Sequence, residues 1–233
     1  MLQEVINDKI VSTGNPEIDK KIGGGIPIGT LTLVEGDSDA GKSVLTQQMA
    51  WGALSQGKRV TVYTTENTTR SLLRQMESIG LDVSDYFIMS RLKIFALPVR
   101  GIQAHEVFER LLNHVESHET DIIIIDSLTP FVSHGDTQEV LRFMTEIKAE
   151  CDSGKSIIAV VHANVVDEGT MVRLRSTSDA HLRLRLEEAG DKLIKMLEVA
   201  KVRGAAKSTG NIIGFNVEPG IGMRMIAVAK AKA

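Results

Sequence analysis

An α/β fold built on a mostly parallel central sheet follows from three features of this 233-residue chain. Strand-like apolar runs alternate with segments of helical period, the pattern of a parallel sheet covered by helices. The densest run, Ile122-Ile123-Ile124-Ile125, is apolar at every position and stops at Asp126, as a strand buried on both faces does. The stretch Gly36-Asp37-Ser38-Asp39-Ala40-Gly41-Lys42-Ser43 fits G-x-x-x-x-G-K-[ST] directly after strand-like Leu31 to Glu35, the context that a phosphate-binding loop requires. The length suits one large α/β domain, so residues 1–233 are expected to form a single unit.

The remaining elements follow in order. Val44 to Leu54 reads as a helix through Val44, Leu45, Met49 and Leu54, closed by Gln56-Gly57. Arg59 to Thr64 is the next strand. Thr68 to Ile79 places Leu72, Leu73, Met76 and Ile79 at helical spacing, and Gly80 stops it. A strand over Leu92 to Ala96 and a helix over Gln103 to Ser117 lead into the isoleucine run, after which Ser127-Leu128-Thr129-Pro130 reads as a turn. A helix from Gln138 to Glu150 precedes a strand from Ile157 to Val161. The last quarter changes character. His181 to Leu186 alternates strictly, Glu188-Ala189-Gly190-Asp191 offers a turn, and Leu193 to Ala200 returns as a second extended segment. Ile212 to Val217 and Gly222 to Val228 form another pair through Glu218-Pro219-Gly220, so antiparallel hairpins are expected beside the parallel core. Ala229 to Ala233 lacks packing residues and is expected to fray.

The loop's composition implies a nucleoside triphosphate. Its glycines let backbone N–H groups curl around a phosphate, Lys42 brings positive charge to the β- and γ-phosphates, and the Ser43 hydroxyl suits a Mg²⁺ shell. The helix opening after Gly41 turns its positive end to the same anion, so Gly36 through Val44 form the expected nucleotide-binding segment. Asp126, at the carboxyl end of a central strand, is the candidate carboxylate to hold Mg²⁺, through water. Its alternative role is to cap the following turn. Glu66 ends the second strand and is the candidate to orient or deprotonate an attacking water; a surface carboxylate is the alternative. His162 follows the Ile157 strand, where it would sense the γ-phosphate or simply hydrogen-bond within its loop. Asp37 and Asp39 put negative charge into the phosphate loop, so their side chains must turn outward if a polyphosphate is to bind.

Composition narrows the classes of function. The net charge of −3 gives no whole-chain attraction to nucleic acid or an anionic membrane. A single cysteine, Cys151, excludes an internal disulfide framework; the charged first twenty residues contain no secretory apolar run, and a cytoplasmic setting is expected. No apolar run approaches the roughly 20 residues that span a bilayer, so any membrane role is expected to come through a partner.

The lead-in residues Thr13-Gly14, Ile18-Asp19 and Gly24-Gly25-Ile26-Pro27-Ile28-Gly29, followed by the phosphate loop, the Glu66 strand, Asp126-Ser127 and Lys201-Val202-Arg203-Gly204, resemble KaiC-like RecA-fold ATPases in order and over nearly the whole chain. Within that family the chain is most similar to the single-domain branch that serves the archaellum, the archaeal flagellum. The resemblance implies a RecA-like core that binds ATP with Mg²⁺ between neighbouring subunits of a homo-oligomeric ring. It also implies that Lys201 and Arg203 contact phosphates in trans, and that partners include the archaellum motor ATPase and ring-forming accessory proteins at the cytoplasmic base of the motor. Active relatives carry paired glutamates where this chain has Glu66-Asn67, and asparagine cannot serve as a carboxylate base. The expectation is therefore a regulatory scaffold with weak or absent hydrolysis. Two alternatives stand beside it. One is an active or self-phosphorylating ATPase, with Ser176, Thr177 and Ser178 as local acceptors. The other is a RecA-fold DNA-binding recombinase paralogue using Arg173, Arg175, Arg183 and Arg185, which the acidic total and sparse aromatics disfavour.

Overall fold

The computed structural model describes residues 9–99, 101–117, 119–189, 192–205 and 210–227. A short β1 (Ile10–Val11) pairs antiparallel with β2 (Ile26–Pro27). The other strands are β3 (Leu31–Gly36), β4 (Val60–Thr64), β5 (Leu92–Ala96), β6 (Ile122–Asp126), β7 (Ser156–His162), β8 (Ala180–Ala189), β9 (Lys192–Val202), β10 (Ile212–Glu218) and β11 (Gly222–Ile226). They form one sheet in the order β11-β10-β9-β8-β3-β7-β6-β4-β5. From β8 to β5 every pairing is parallel; β9, β10 and β11 continue the sheet antiparallel. Both expected hairpins are present. The turn residues Gly190-Asp191, the end of the last strand at Val228, and Ala229 to Ala233 lie outside the described residues.

The isoleucine run shows why the sheet is central. Ile122 and Ile124 join a core with Leu45, Met49 and Leu72, whereas Ile123 and Ile125 join one with Leu33, Phe143 and Leu174 on the opposite face. Successive strand residues point to opposite faces, so a run apolar at every position demands a helical layer on each side. The first layer holds α1 (Pro16–Lys21), α2 (Lys42–Ser55), α3 (Thr69–Ser78) and α4 (Ser84–Ile88). The second holds α5 (Ala104–Ser117), α6 (Thr129–His134), α7 (Thr137–Asp152) and α8 (Glu168–Thr177).

One local expectation is corrected and one element is added. The turn expected at Ser127 to Pro130 opens α6, whose early Pro130 sits where a missing N–H costs nothing. Ser176 and Thr177, read from sequence only as local acceptors, end helix α8, and Ser178 is its fully buried C-cap. Gly169 and the Thr/Arg composition hide this helix from a periodicity reading, while Asp167 starts it by accepting a hydrogen bond from the Thr170 N–H.

Candidate nucleotide site

Sheet register brings the distant motifs together. Gly36 pairs with His162 across β3 and β7, and Thr64 pairs with Asp126 across β4 and β6, so four strand ends open onto one crevice. Ligands bind outside the carboxyl ends of strands in such sheets. The phosphate loop lies there, with Asp39 (φ 59°) and Gly41 (φ 96°) in left-handed conformations. A side chain at Gly41 would have its Cβ 3.1 Å from the Phe215 ring, so glycine is required both for the turn and for close packing. Helix α2 starts with no side-chain cap, which leaves its first N–H groups facing the crevice.

The charged groups sort into two sets. Lys42 Nζ donates to the Asp37 carbonyl oxygen at 2.5 Å and lies 3.4 Å from His162 Nδ1. Burial lowers its pKa against the opposing pull of Asp126, Glu66, Asp37 and Asp39. The Asp37 carboxylate turns away to accept from Asn164 Nδ2 at 3.0 Å, as a polyphosphate site requires. Asp39 presents its carbonyl to the Lys195 ammonium. On the opposite wall, the Thr46 hydroxyl lies 3.0 Å from the Ser43 carbonyl oxygen and 3.3 Å from Asp126 Oδ2. Burial pushes the Asp126 carboxyl up to about 6, although hydrogen bonds from Ser43 and Thr46 and the charge of Lys42 pull it down.

A buried carboxylate left this undersolvated beside a serine hydroxyl fits a small hard cation, whose charge would favour the ionised form. Among the described residues no cluster of three or more His, Cys, Asp or Glu is arranged to hold a metal. A Mg²⁺ ion here would thus draw most of its shell from phosphate oxygens and water. ATP would supply the transferable γ-phosphoryl group; the chain supplies the cradle, Lys42 and the Ser43–Asp126 pair.

Glu66 and His162 meet at the mouth, with Oε1 and Nε2 3.5 Å apart. Asn67 faces elsewhere: its Oδ1 accepts from Ser71 Oγ at 3.0 Å and from Gln75 Nε2 at 2.9 Å, and Gln75 in turn accepts from Gln47 Nε2. Lys201 and Arg203 are not at this crevice. Lys201 pairs with His181 near the start of β8, at the opposite end of β3 from the loop. Its Nζ donates to the Arg175 carbonyl oxygen at 2.7 Å, and the Arg203 guanidinium is 3.6 Å from Asp179. The basic strip considered for nucleic acid is largely tied up: Arg175 grips Glu35 with two 2.7 Å contacts, and Arg185 binds Glu187 and Glu198. Sequence reasoning missed Thr46, Asn164, Lys195 and Phe215. Only Thr46 carried a signal, being three residues after Ser43 and so on the same helix face.

Comparison with known proteins places this geometry. The family model described as "ATPase: KaiC" matches residues 11–228. The chain belongs to the KaiC ATPase family. This KaiC-family protein is 32% identical over 229 residues to the archaeal flagellar ATP-binding protein FlaH of Sulfolobus acidocaldarius, covering 96% of this chain and 100% of that one. It is 27% identical to FlaH of Methanocaldococcus jannaschii, covering 91% and 93%. The crystal structure of the flagellar accessory protein FlaH from M. jannaschii matches the KaiC-family fold with a TM-score of 0.84 at 26% identity, over 94% of this chain and 99% of that one. The fold is thus a RecA-like core with a C-terminal antiparallel extension. Among the described residues no helix is long and apolar enough to cross a membrane.

Proposed function

We propose that this chain is an ATP-binding regulatory subunit of the archaellum motor, in which nucleotide occupancy controls ring assembly and docking to the motor ATPase while hydrolysis is weak. The carrying observation is the division at the end of β4. Asn67 is turned into α3 by Ser71 and Gln75, which leaves Glu66, beside His162, as the carboxylate at the mouth. In this reading Gly36 to Val44 cradle the phosphates, with Lys42 on the β- and γ-phosphates. Ser43 and Asp126 hold Mg²⁺, Asp126 through water, and His162 reports the γ-phosphate. Lys201 and Arg203, remote from their own loop, reach the phosphates of a neighbouring copy. The FlaH relatives support the archaellar setting, at the cytoplasmic base of a membrane motor.

The deciding experiment is a single-turnover assay with protein in excess over labelled MgATP, following retained nucleotide and released phosphate together. Retained, intact ATP is the expected result. Rapid phosphate release would replace the regulatory reading with an active ATPase, which the Glu66–His162 contact favours as the second reading, with Glu66 as its base. For self-phosphorylation, intact mass after incubation with MgATP is expected to show no added phosphate. The Ser178 hydroxyl is buried against the Leu174 carbonyl, and Thr177 Oγ1 bonds the Arg173 carbonyl.

A further inference from the structure

The second helical layer carries a groove that nucleotide chemistry does not use. A cleft of about 440 Å³ opens between the α5 start and α6, with Ile102, Pro130 and Phe131 among its walls. It meets a second cleft of about 270 Å³ between α5 and α7, lined by half-buried Leu112 over the buried Phe108 and Phe143. The two share His105 and Glu139 and so form one channel. Its α7 side runs from Asp136 to Glu146, about 15 Å at 1.5 Å per residue, or some three turns of a helix lying alongside. The accessible floor is the half-buried Ile102, Leu112 and Pro130, and it is held from beneath by core rings: Phe108 and Phe143 stack at 4.4 Å, and Phe131 meets Phe108 edge-on at 6.4 Å.

Charge identifies the occupant. Glu109, Asp136, Glu139 and Glu146 line the channel against one cation, Arg142, which is already bound to Glu146 at 2.8 Å. Four carboxylates against one guanidinium leave three negative charges. That local excess is as large as the net charge of the entire chain. Among the described residues Glu139 is in no ion pair. An apolar floor with an acidic rim is the complement of a helix with one apolar face and lysine or arginine on its flanks. The channel is also wired to the crevice. Its wall α6 starts three residues after Asp126, and the His162 N–H donates to Thr129 Oγ1 at 3.0 Å.

We propose that the α5–α7 channel is the docking site for a cationic amphipathic helix of a partner protein. The probe is a fluorescein-labelled 14-residue leucine–lysine amphipathic peptide, titrated with the full chain by fluorescence anisotropy at 50 and 300 mM salt. Two companion peptides share the pattern, one with glutamate for lysine and one with serine for leucine. The leucine–lysine peptide is expected to bind, to weaken at least fivefold at the higher salt, and to outbind both companions at least tenfold. The double variant Glu109→Lys/Glu139→Lys, both exposed positions, is expected to weaken it at least tenfold, while Glu77→Lys/Asp85→Lys in the other helical layer leaves affinity within twofold. Equal loss in both double variants would reduce the effect to general acidity and overturn the proposal. So would unchanged binding to the channel variant, no binding to wild type, or serine–lysine binding as tight as leucine–lysine.

Discussion

Glu35 has no exposed side-chain surface, yet it is held as a carboxylate. Burial would push its pKa up, but hydrogen bonds from His181 and Arg175 and their charges outweigh that and hold it near 2. Its folded value lies below the ordinary one, so the stability it contributes is present above about pH 4.5 and lost as pH falls through about 2. A shift of that size is worth about 3 kcal/mol. Replacing Glu35 with Gln takes the buried carboxylate from between Arg175 and His181 and leaves Arg175 only its exposed contact with Glu168, and urea denaturation at pH 7 is expected to show a loss of about 3–5 kcal/mol. Asp126 has the opposite sign. With its folded value raised to about 6, the stability of its protonated form is present below pH 3.8 and lost as pH rises through 6. Protons and a cation therefore compete for it. The Mg²⁺-dependent part of nucleotide affinity, measured with a fluorescent ATP analogue, is expected to fall about fourfold from pH 7.5 to 5.5 beyond the fall seen in Asp126→Asn, which retains only the titration of the nucleotide's own phosphate.

At the level of elements, cap chemistry can be weighed directly. Helix α7 opens on Asp136, whose Oδ1 accepts from the Gln138 and Glu139 N–H groups, and Asp136→Ala is expected to cost about 1 kcal/mol in thermal or urea unfolding. Elements with a strong period or full apolar runs were legible from sequence. α2, α3, α5, α7 and every strand from β3 to β11 stand where spacing places them, within a few residues. The short pieces were not. α1 is six residues and α4 five, too brief for a 3.6-residue period to repeat, and β1 and β2 have two residues each. For the site, the phosphate loop, Glu66, Asp126 and His162 were legible because each sits at a strand end, a position that local sequence marks. Asn164 and Lys195 were not, since they meet the loop from 127 and 156 residues away. No local pattern encodes such a meeting.

On the scale of the molecule, the C-terminal strands β8 to β10 brace the phosphate loop. Phe215 of β10 packs on Gly41, Lys195 of β9 holds the Asp39 carbonyl, and the Leu184 carbonyl of β8 accepts from the Asp37 N–H at 3.3 Å. Phe215 is fully buried, so Phe215→Ala is expected to cost about 3–5 kcal/mol and to weaken nucleotide binding with the motif intact. Assembly belongs to this scale too. Sizing with MgATP is expected to show that Lys42→Ala forms fewer oligomers than wild type, and equal assembly would remove nucleotide as the switch, since a ligand shifts an equilibrium only by its preference for one state.

The floor beneath the phosphate loop also has a temporal meaning. The loop leaves the ribosome long before Phe215, the residue that packs on its Gly41. A growing or prematurely ended chain thus displays the nucleotide signature without the surface that seats it. Any hold on nucleotide that depends on Phe215 is therefore expected to appear only once β10 has been made and has reached the loop, so that one small ligand would report the meeting of two distant segments.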